Sequence, residues 1–260
     1  MRARSLHPYL DHPGPIPFAH RGGGLEAPEN SLAAFTRAID LGYRYIETDV
    51  QVTGDGQLVV FHDPVLERLT DGQGRISDLP WSAISQARVA GREPIPLLDQ
   101  VLETWPALRL NIDPKSDAAA RALVTALRRH DALDRVCVGS FSGARLARLR
   151  SDLGSDLCSS AGPWEVARVW AAGHGLPRPA PVGPHCLQVP VRHKGLTVVT
   201  PGLVRAAHAR GLSVHVWTVD DAAEMERLLD MGVDGIITDR PTLLREVMAR
   251  RGQWPDGFRR

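Results

Sequence analysis

Eight short runs rich in β-branched and aromatic residues alternate with amphipathic stretches along this chain, and that alternation restricts the fold more than any other feature. Strands are expected near 16–20, 44–50, 108–113, 135–140, 156–159, 185–189, 213–219 and 235–238, from period-2 patterning and flanking turn residues. Helices are expected at 31–41, 97–105, 117–130, 143–151, 163–172, 201–210, 221–231 and 241–250, several of them opening on Ser, Asp or Pro where caps and first turns favour those residues. Strands that alternate with helices indicate a parallel sheet with helical crossovers. Eight such units in 260 residues predict a closed α/β (β/α)8 TIM barrel, whose chemistry gathers at the carboxyl ends of the strands. The chain is read as one catalytic domain over 1–260, with a core of about 16–250 and terminal tails at 1–15 and 251–260.

The rim of such a barrel selects candidates. His20 and Arg21 end the first strand, Glu47 and Asp49 lie near the end of the second, and Asp113 and Lys115 end the third. Ser140 and Phe141 end the fourth, Trp217 the seventh and Asp239 the eighth. Glu47 and Asp49, two apart on a strand, point to the same face. The Gly54-Asp55-Gly56 turn then predicts a β-hairpin extension after strand 2, with an antiparallel return over Gln57 to Phe61. A two-residue turn at Gly54-Asp55 places His62 opposite Glu47; one at Asp55-Gly56 places it opposite Asp49. Two ionised carboxylates in an apolar run call for a compensating cation, and a hard divalent ion with oxygen ligands is the common solution.

Composition narrows the partner. A formal net charge of +1 carries no footprint for nucleic acid, and no Lys/Arg cluster indicates an anionic membrane surface, so a small molecule is expected. Cys137, Cys158 and Cys186 fall in expected strands at spacings that match neither a zinc site nor a disulfide framework, and read as buried reduced thiols. The basic start lacks an apolar signal core and no later run is long enough to span a bilayer, so a cytoplasmic protein without integral membrane association is expected, either monomer or homodimer. The segment Asp63 to Pro96 leaves the active rim and is long enough to shape a substrate entrance; its Leu66, Leu69, Ile76, Leu79, Trp81 and Ile84 could cover an apolar tail. Gly173 to Pro184 reads as a long connection on the opposite face. His7, His12, His174, His185 and His193 form no ligand spacing and read as surface or loop residues, and Asp239 as a structural rim residue.

HRGGGLEAPENSLAAF (20–35), IETDVQVTGDGQLVVFHD (46–63), NIDPK (111–115), VWTVD (216–220) and GVDGIITDRP (232–241) resemble, in that order, the glycerophosphodiester phosphodiesterase family, over about residues 16–248. The resemblance implies a barrel related to phosphatidylinositol-specific phospholipase C that cleaves glycerophosphodiesters to sn-glycerol 3-phosphate and an alcohol. It implies that Glu47, Asp49 and Asp113 hold one divalent cation, Mg²⁺ or Ca²⁺, and that His20 and His62 carry the acid-base work. Asp113 stands where the family commonly has Glu, and Ser31 where Thr is frequent.

The chemistry agrees without the family. A phosphodiester anion repels nucleophiles, so Arg21, Lys115 and a metal would offset charge that grows on its oxygens, while two histidines suit proton transfer near neutrality. Glu29 is expected to support Arg21 or the metal shell, Asn30 to cap a helix, and Trp217 to wall the glycerol moiety. Asp63 either caps its own turn or orients His62. Alternatives are hydrolysis of lysophospholipids by the same chemistry, and a non-catalytic barrel that binds a phosphoryl ligand.

Overall fold

In the computed structural model, which describes residues 7–176 and 183–254, eight parallel strands form the expected barrel. They are Ile16–His20, Tyr45–Val52, Arg109–Pro114, Val136–Val138, Cys158–Ser159, Cys186–Pro190, Ser213–Trp217 and Gly235–Thr238. Each pairs in parallel with its neighbour, and the first strand pairs with the eighth through Ile16 to Gly235 and the residues that follow. Between the fifth and sixth strands the ladder is thin. A parallel bridge between Ser160 and Cys186 and the Ala161 N–H donating to the Cys186 carbonyl at 2.7 Å complete the circle there. The fifth strand is shorter than expected because Gly154, at φ +71°, ends the preceding helix and residues Gly154–Asp156 form a 3-10 turn.

Strand parity sorts the side chains into two cores. Ile46, Val50, Leu110, Ile112, Val136, Val138, Leu187, Val189, Val214 and Val216 face outward into the layer shared with the helices. Phe18, Tyr45, Cys137, Cys158, Cys186 and Ile237 face inward and fill the barrel with Tyr9, Leu10 and Ile16. The three cysteines are free and buried. The stretch before the first strand is therefore not a loose tail: residues Pro8–Leu10 form a 3-10 turn, Tyr9 is fully buried, and Tyr45 Oη donates to its carbonyl at 2.8 Å. His7 is buried rather than a surface residue, and packs edge-on to His185. At the other end, Trp254, within the stretch expected as a tail, packs edge-on to Tyr43.

The hairpin after the second strand forms, in a register that neither two-residue turn predicts. Val50, Gln51 and Val52 pair with Val60, Val59 and Leu58. The loop is three residues, Gly54–Asp55–Gly56, closed by the Gly56 N–H on the Thr53 carbonyl with Gly56 in the left-handed region at φ +86°. The Asp55 carboxylate stabilises it by accepting from Thr53 Oγ1 and the Trp81 N–H. The chain leaves the ladder after Val60, so His62 reaches the rim from a loop and not as a cross-strand partner.

Residues 63–96 hold a small core of their own. Leu66, Ile76, Ile84, Ala87, Val89 and Ile95 bury themselves with Val59 and Phe61, and Leu69, Leu79 and Trp81 pack against them, so the apolar side chains that could cover a substrate tail are spent on packing. A second hairpin, unexpected from the sequence, pairs Arg192–His193 with Leu196–Thr197 around Lys194 and Gly195, both at positive φ. The middle of the connection from Gly173 to Pro184, residues 177–182, lies outside the described residues.

Helices Pro163–Gly173 and Pro201–His208 touch backbone to backbone: a Cβ at Gly202 would lie 2.3 Å from the Gly173 carbonyl oxygen. Gly202→Ala would gain about 1 kcal/mol of helix propensity, but overpacking of this kind costs typically about 1–3 kcal/mol. The clash should win, and the urea midpoint of G202A is expected to fall with an unchanged m-value.

Candidate active site

At the carboxyl end of the strands a cavity of about 450 Å³ opens, and the inward parity of the strands delivers its polar floor: His20, Glu47, Asp49, Asn111, Asp113 and Gln188. Arg21, His62, Lys115 and Trp217 also line it. The two halves differ. Most ionisable groups come from the first three strands and the loops that follow them, with His193 beyond the sixth strand, whereas Phe141, Val166, Pro190, Val198 and Trp217 wall the side formed by the fourth to seventh strands.

His20 is held at both ring nitrogens. Its Nδ1–H donates to Asp239 Oδ1 at 2.8 Å, and Nε2 lies 3.5 Å from Glu47 Oε2. Asp239 also accepts from the Gly24 N–H, and its own N–H donates to Asp220 Oδ1 at 2.7 Å. Burial works against a charged His20, but Glu47 and Asp239 outweigh it and raise its pKa. Asp239 is thus more than a structural rim residue: it fixes the tautomer and aim of a ring 219 positions away.

His62 is held the same way from outside. Its Nδ1–H donates to Asp63 Oδ1 at 2.6 Å, and Asp63 is gripped by the Arg68 guanidinium through Nη2 at 2.8 Å and through Nε. That Arg68 fork pushes the Asp63 carboxyl down to about 2. Of the two open readings for Asp63, the contact to the ring is the one present. None of residues 63–96 lines the cavity; Asp63 reaches the site through His62, and Arg68 through Asp63 and Glu29.

Arg21 adopts a left-handed φ of +53°, with its N–H donating to the Glu47 carbonyl, which turns its side chain back over the second strand. Nη1 donates to Glu29 Oε1 at 2.9 Å and Nε lies 3.0 Å from Asp49 Oδ2. Glu29 thereby supports Arg21, and it joins Arg68 as well at 3.0 Å. Asn30 does not cap the helix. Ser31 does, accepting from the Ala34 N–H, while buried Asn30 donates to Asp49 Oδ2 at 3.1 Å and accepts from Thr48 Oγ1.

The three carboxylates stand in different states. Burial opposes charge on Asp49, yet Lys115 at 2.6 Å and Arg21 hold its carboxyl below the usual range. Lys115 Nζ also donates to Asp113 Oδ2 at 2.7 Å, and burial keeps the Asp113 pKa raised. Glu47 is the exception: burial, then the neighbouring Asp49 charge, pushes it up to about 7, and its buried Oε2 has no hydrogen-bond partner. Among the described residues, no three His, Cys, Asp or Glu side chains converge as a ready ligand set, because Lys115 lies between Asp49 and Asp113. Asn111 Oδ1 and Gln188 Nε2 are likewise buried without partners. Sequence reasoning passed over both, although their places on the inward parity of the third and sixth strands could have marked them.

Comparison with known proteins gives the family. The model of the glycerophosphoryl diester phosphodiesterase family matches residues 20–243. The chain is 41% identical over 259 residues to "Probable glycerophosphodiester phosphodiesterase 2" of Mycobacterium tuberculosis, covering 95% of each chain. It is 32% identical to the glycerophosphodiester phosphodiesterase of Caldanaerobacter subterraneus subsp. tengcongensis, over 90% of this chain and 98% of that one. The crystal structure of a glycerophosphodiester phosphodiesterase from Agrobacterium tumefaciens superposes with a TM-score of 0.73 at 25% identity, over 88% of this chain and 98% of that one. A barrel whose rim joins two oriented histidines, three carboxylates, an arginine and a lysine, and which matches these proteins over nearly its whole length, belongs to the glycerophosphoryl diester phosphodiesterase family and is a phosphoric diester hydrolase.

Proposed function

We propose that this chain hydrolyses small glycerophosphodiesters to sn-glycerol 3-phosphate and an alcohol, with His20 and His62 as the proton carriers. The observation that carries this reading is the pair of carboxylate-oriented rings on one cavity: Asp239 holds His20 by Nδ1 and Asp63 holds His62 by Nδ1, which directs each Nε2 to proton transfer, that of His20 with Glu47 Oε2 at 3.5 Å beside it. His20 is the deeper side chain, 16% exposed against 34%, and suits the base that takes a proton from the attacking hydroxyl. His62, nearer solvent, suits the acid that protonates the departing alkoxide. The attacking group is either water or the adjacent glycerol hydroxyl, which would pass through a cyclic phosphate. Arg21 and Lys115 offset charge that grows on the phosphoryl oxygens, and Trp217 with Phe141 offers a wall for the glycerol carbons.

The donor set also fits one divalent cation, Mg²⁺ or Ca²⁺. Glu47, Asp49 and Asp113 supply hard oxygen ligands, and the unpartnered, buried Glu47 Oε2 is an acceptor in need of a cation. When bound, the ion would supply Lewis-acid stabilisation of the phosphoryl group. Asp113 is one methylene shorter than the Glu common in the family, and its carboxylate is engaged by Lys115, so Glu47 is the ligand with the freest oxygen. The apolar half of the cavity favours a second reading of substrate scope, in which lysophospholipids with the same headgroup chemistry are also accepted. Among the described residues no helix is long and apolar enough to cross a membrane.

Release of sn-glycerol 3-phosphate from glycerophosphocholine should stop on chelation and return with Mg²⁺ or Ca²⁺; product formation undiminished by chelator would remove the cation from the reading. Glu47→Gln and His62→Ala should each lower turnover by about 10²–10⁴-fold with far-UV circular dichroism unchanged, and near wild-type turnover in either would defeat the assignment. Asp239→Asn keeps the size of the side chain but weakens the hold on the His20 tautomer, so it should lower kcat by about 10²-fold or more with little change in KM.

A further inference from the structure

Three of the five exposed large apolar side chains among the described residues follow consecutive barrel strands on one side of the cavity mouth: Phe141 after the fourth, Trp164 after the fifth and Leu196 after the sixth. Phe141 is 69% exposed although its ring packs edge-on to Trp217 at 5.6 Å, so its outer face is open. Trp164 is 84% exposed and sits one residue beyond Pro163, which itself lines the cavity. Leu196 lies on the hairpin whose residues 192–197 are all exposed. Trp170 Nε1–H donates to the Thr197 carbonyl at 3.3 Å, which ties that hairpin to the helix that bears Trp164.

The same hairpin carries Arg192, His193 and Lys194 in a row. Of the acidic groups on this side, Glu165 pairs with Arg150 at 2.8 Å, and Glu224, which faces Arg192 and has Asp221 beside it, pairs with Arg227 at 2.6 Å. The even charge of the whole chain hides this local excess, because the basic residues are brought beside apolar ones only by the fold.

We propose that this arc docks the cavity mouth on an anionic lipid bilayer. Trp and Phe at a polar boundary with basic neighbours have the composition of interfacial anchors, and cationic side chains near an anionic leaflet add attraction that salt screens. The partner is identified by charge: a zwitterionic surface would satisfy Trp164 and Leu196 and leave the Lys194 ammonium without a counter-ion. The orientation follows from the arc's position. Docked this way, the apolar half of the cavity opens toward the bilayer and the ionised half stays on the water side. This inference concerns attachment and stands apart from the histidine and cation assignments.

The test is co-sedimentation of the full chain with phosphatidylcholine vesicles, with and without phosphatidylglycerol, for wild type, Trp164→Ser, Leu196→Ser and Lys194→Glu. Hydrolysis of soluble glycerophosphocholine is measured alongside. Wild type should pellet with the anionic vesicles and be released by salt, and each variant should bind roughly tenfold more weakly while soluble hydrolysis is unchanged. Wild type that stays in the supernatant with anionic vesicles would overturn the proposal, as would pelleting that none of the three variants weakens. So would a concentration-dependent dimer on size-exclusion chromatography that Trp164→Ser disperses, since the arc would then be an interface between copies of this chain. Loss of soluble hydrolysis in wild type would count against the proposed reaction and leave the docking result standing.

Discussion

Asp49 is 1% exposed, and a carboxylate in that position is ionised only because Arg21, Asn30 and Lys115 surround it. Each of these partners belongs to a different part of the chain: the turn after the first strand, the entry to the first helix, and the end of the third strand. One buried charge therefore ties three neighbouring segments at the rim. Glu47 shows the contrast. Two positions earlier on the same strand and on the same face, it has no compensating hydrogen bond, and its charge is held back by burial and by Asp49 itself. The site stores its electrostatic tension in that one carboxylate, and any cation it recruits would meet Glu47 on different terms from Asp49.

The fold was legible because its signals are local. Period-2 runs recur along the chain, seven of the described helices open on a side-chain N-cap or a proline, and each unit can be read without knowledge of the others. The shared face of Glu47 and Asp49 follows from strand parity alone, and so does the inward position of the three cysteines. Reasoning was weaker where spatial neighbours are far apart in sequence. The hairpin register was off because Asp-Gly suggested a two-residue turn, whereas Gly56 in the left-handed region supports a three-residue loop. Asp239 looked structural because nothing near it in the sequence points to His20. Leu66, Ile76 and Ile84 looked available to a ligand because a satellite core cannot be told from a lid by composition.

The division of the cavity into ionised and apolar halves has a topological origin. The first three strands carry acidic or basic residues at their inward carboxyl ends, whereas the fourth to seventh end in Gly, Ser, Val, Pro and Trp. A phosphodiester has the same division, since its phosphoryl group demands charge and its carbon substituents do not. A barrel can meet that need by rotation about its axis alone, with no second domain to close over the substrate.

Beneath the site, the barrel interior is filled mostly by apolar and aromatic side chains. Tyr9 and Leu10 close its lower end, and Phe18, Tyr45, Cys137, Cys158 and Cys186 fill the space between them and the carboxylates. Among the described residues the polar groups in or beside this plug are the Tyr9 and Tyr45 hydroxyls, the three thiols and the ring of His215, itself fully buried. The short turn at residues 8–10 thus acts on a rim some five strand residues away: by closing the floor with packed side chains, it leaves Arg21, Lys115 and the carboxylates open to solvent from the cavity side alone, so that they attract one another more strongly than in free solution.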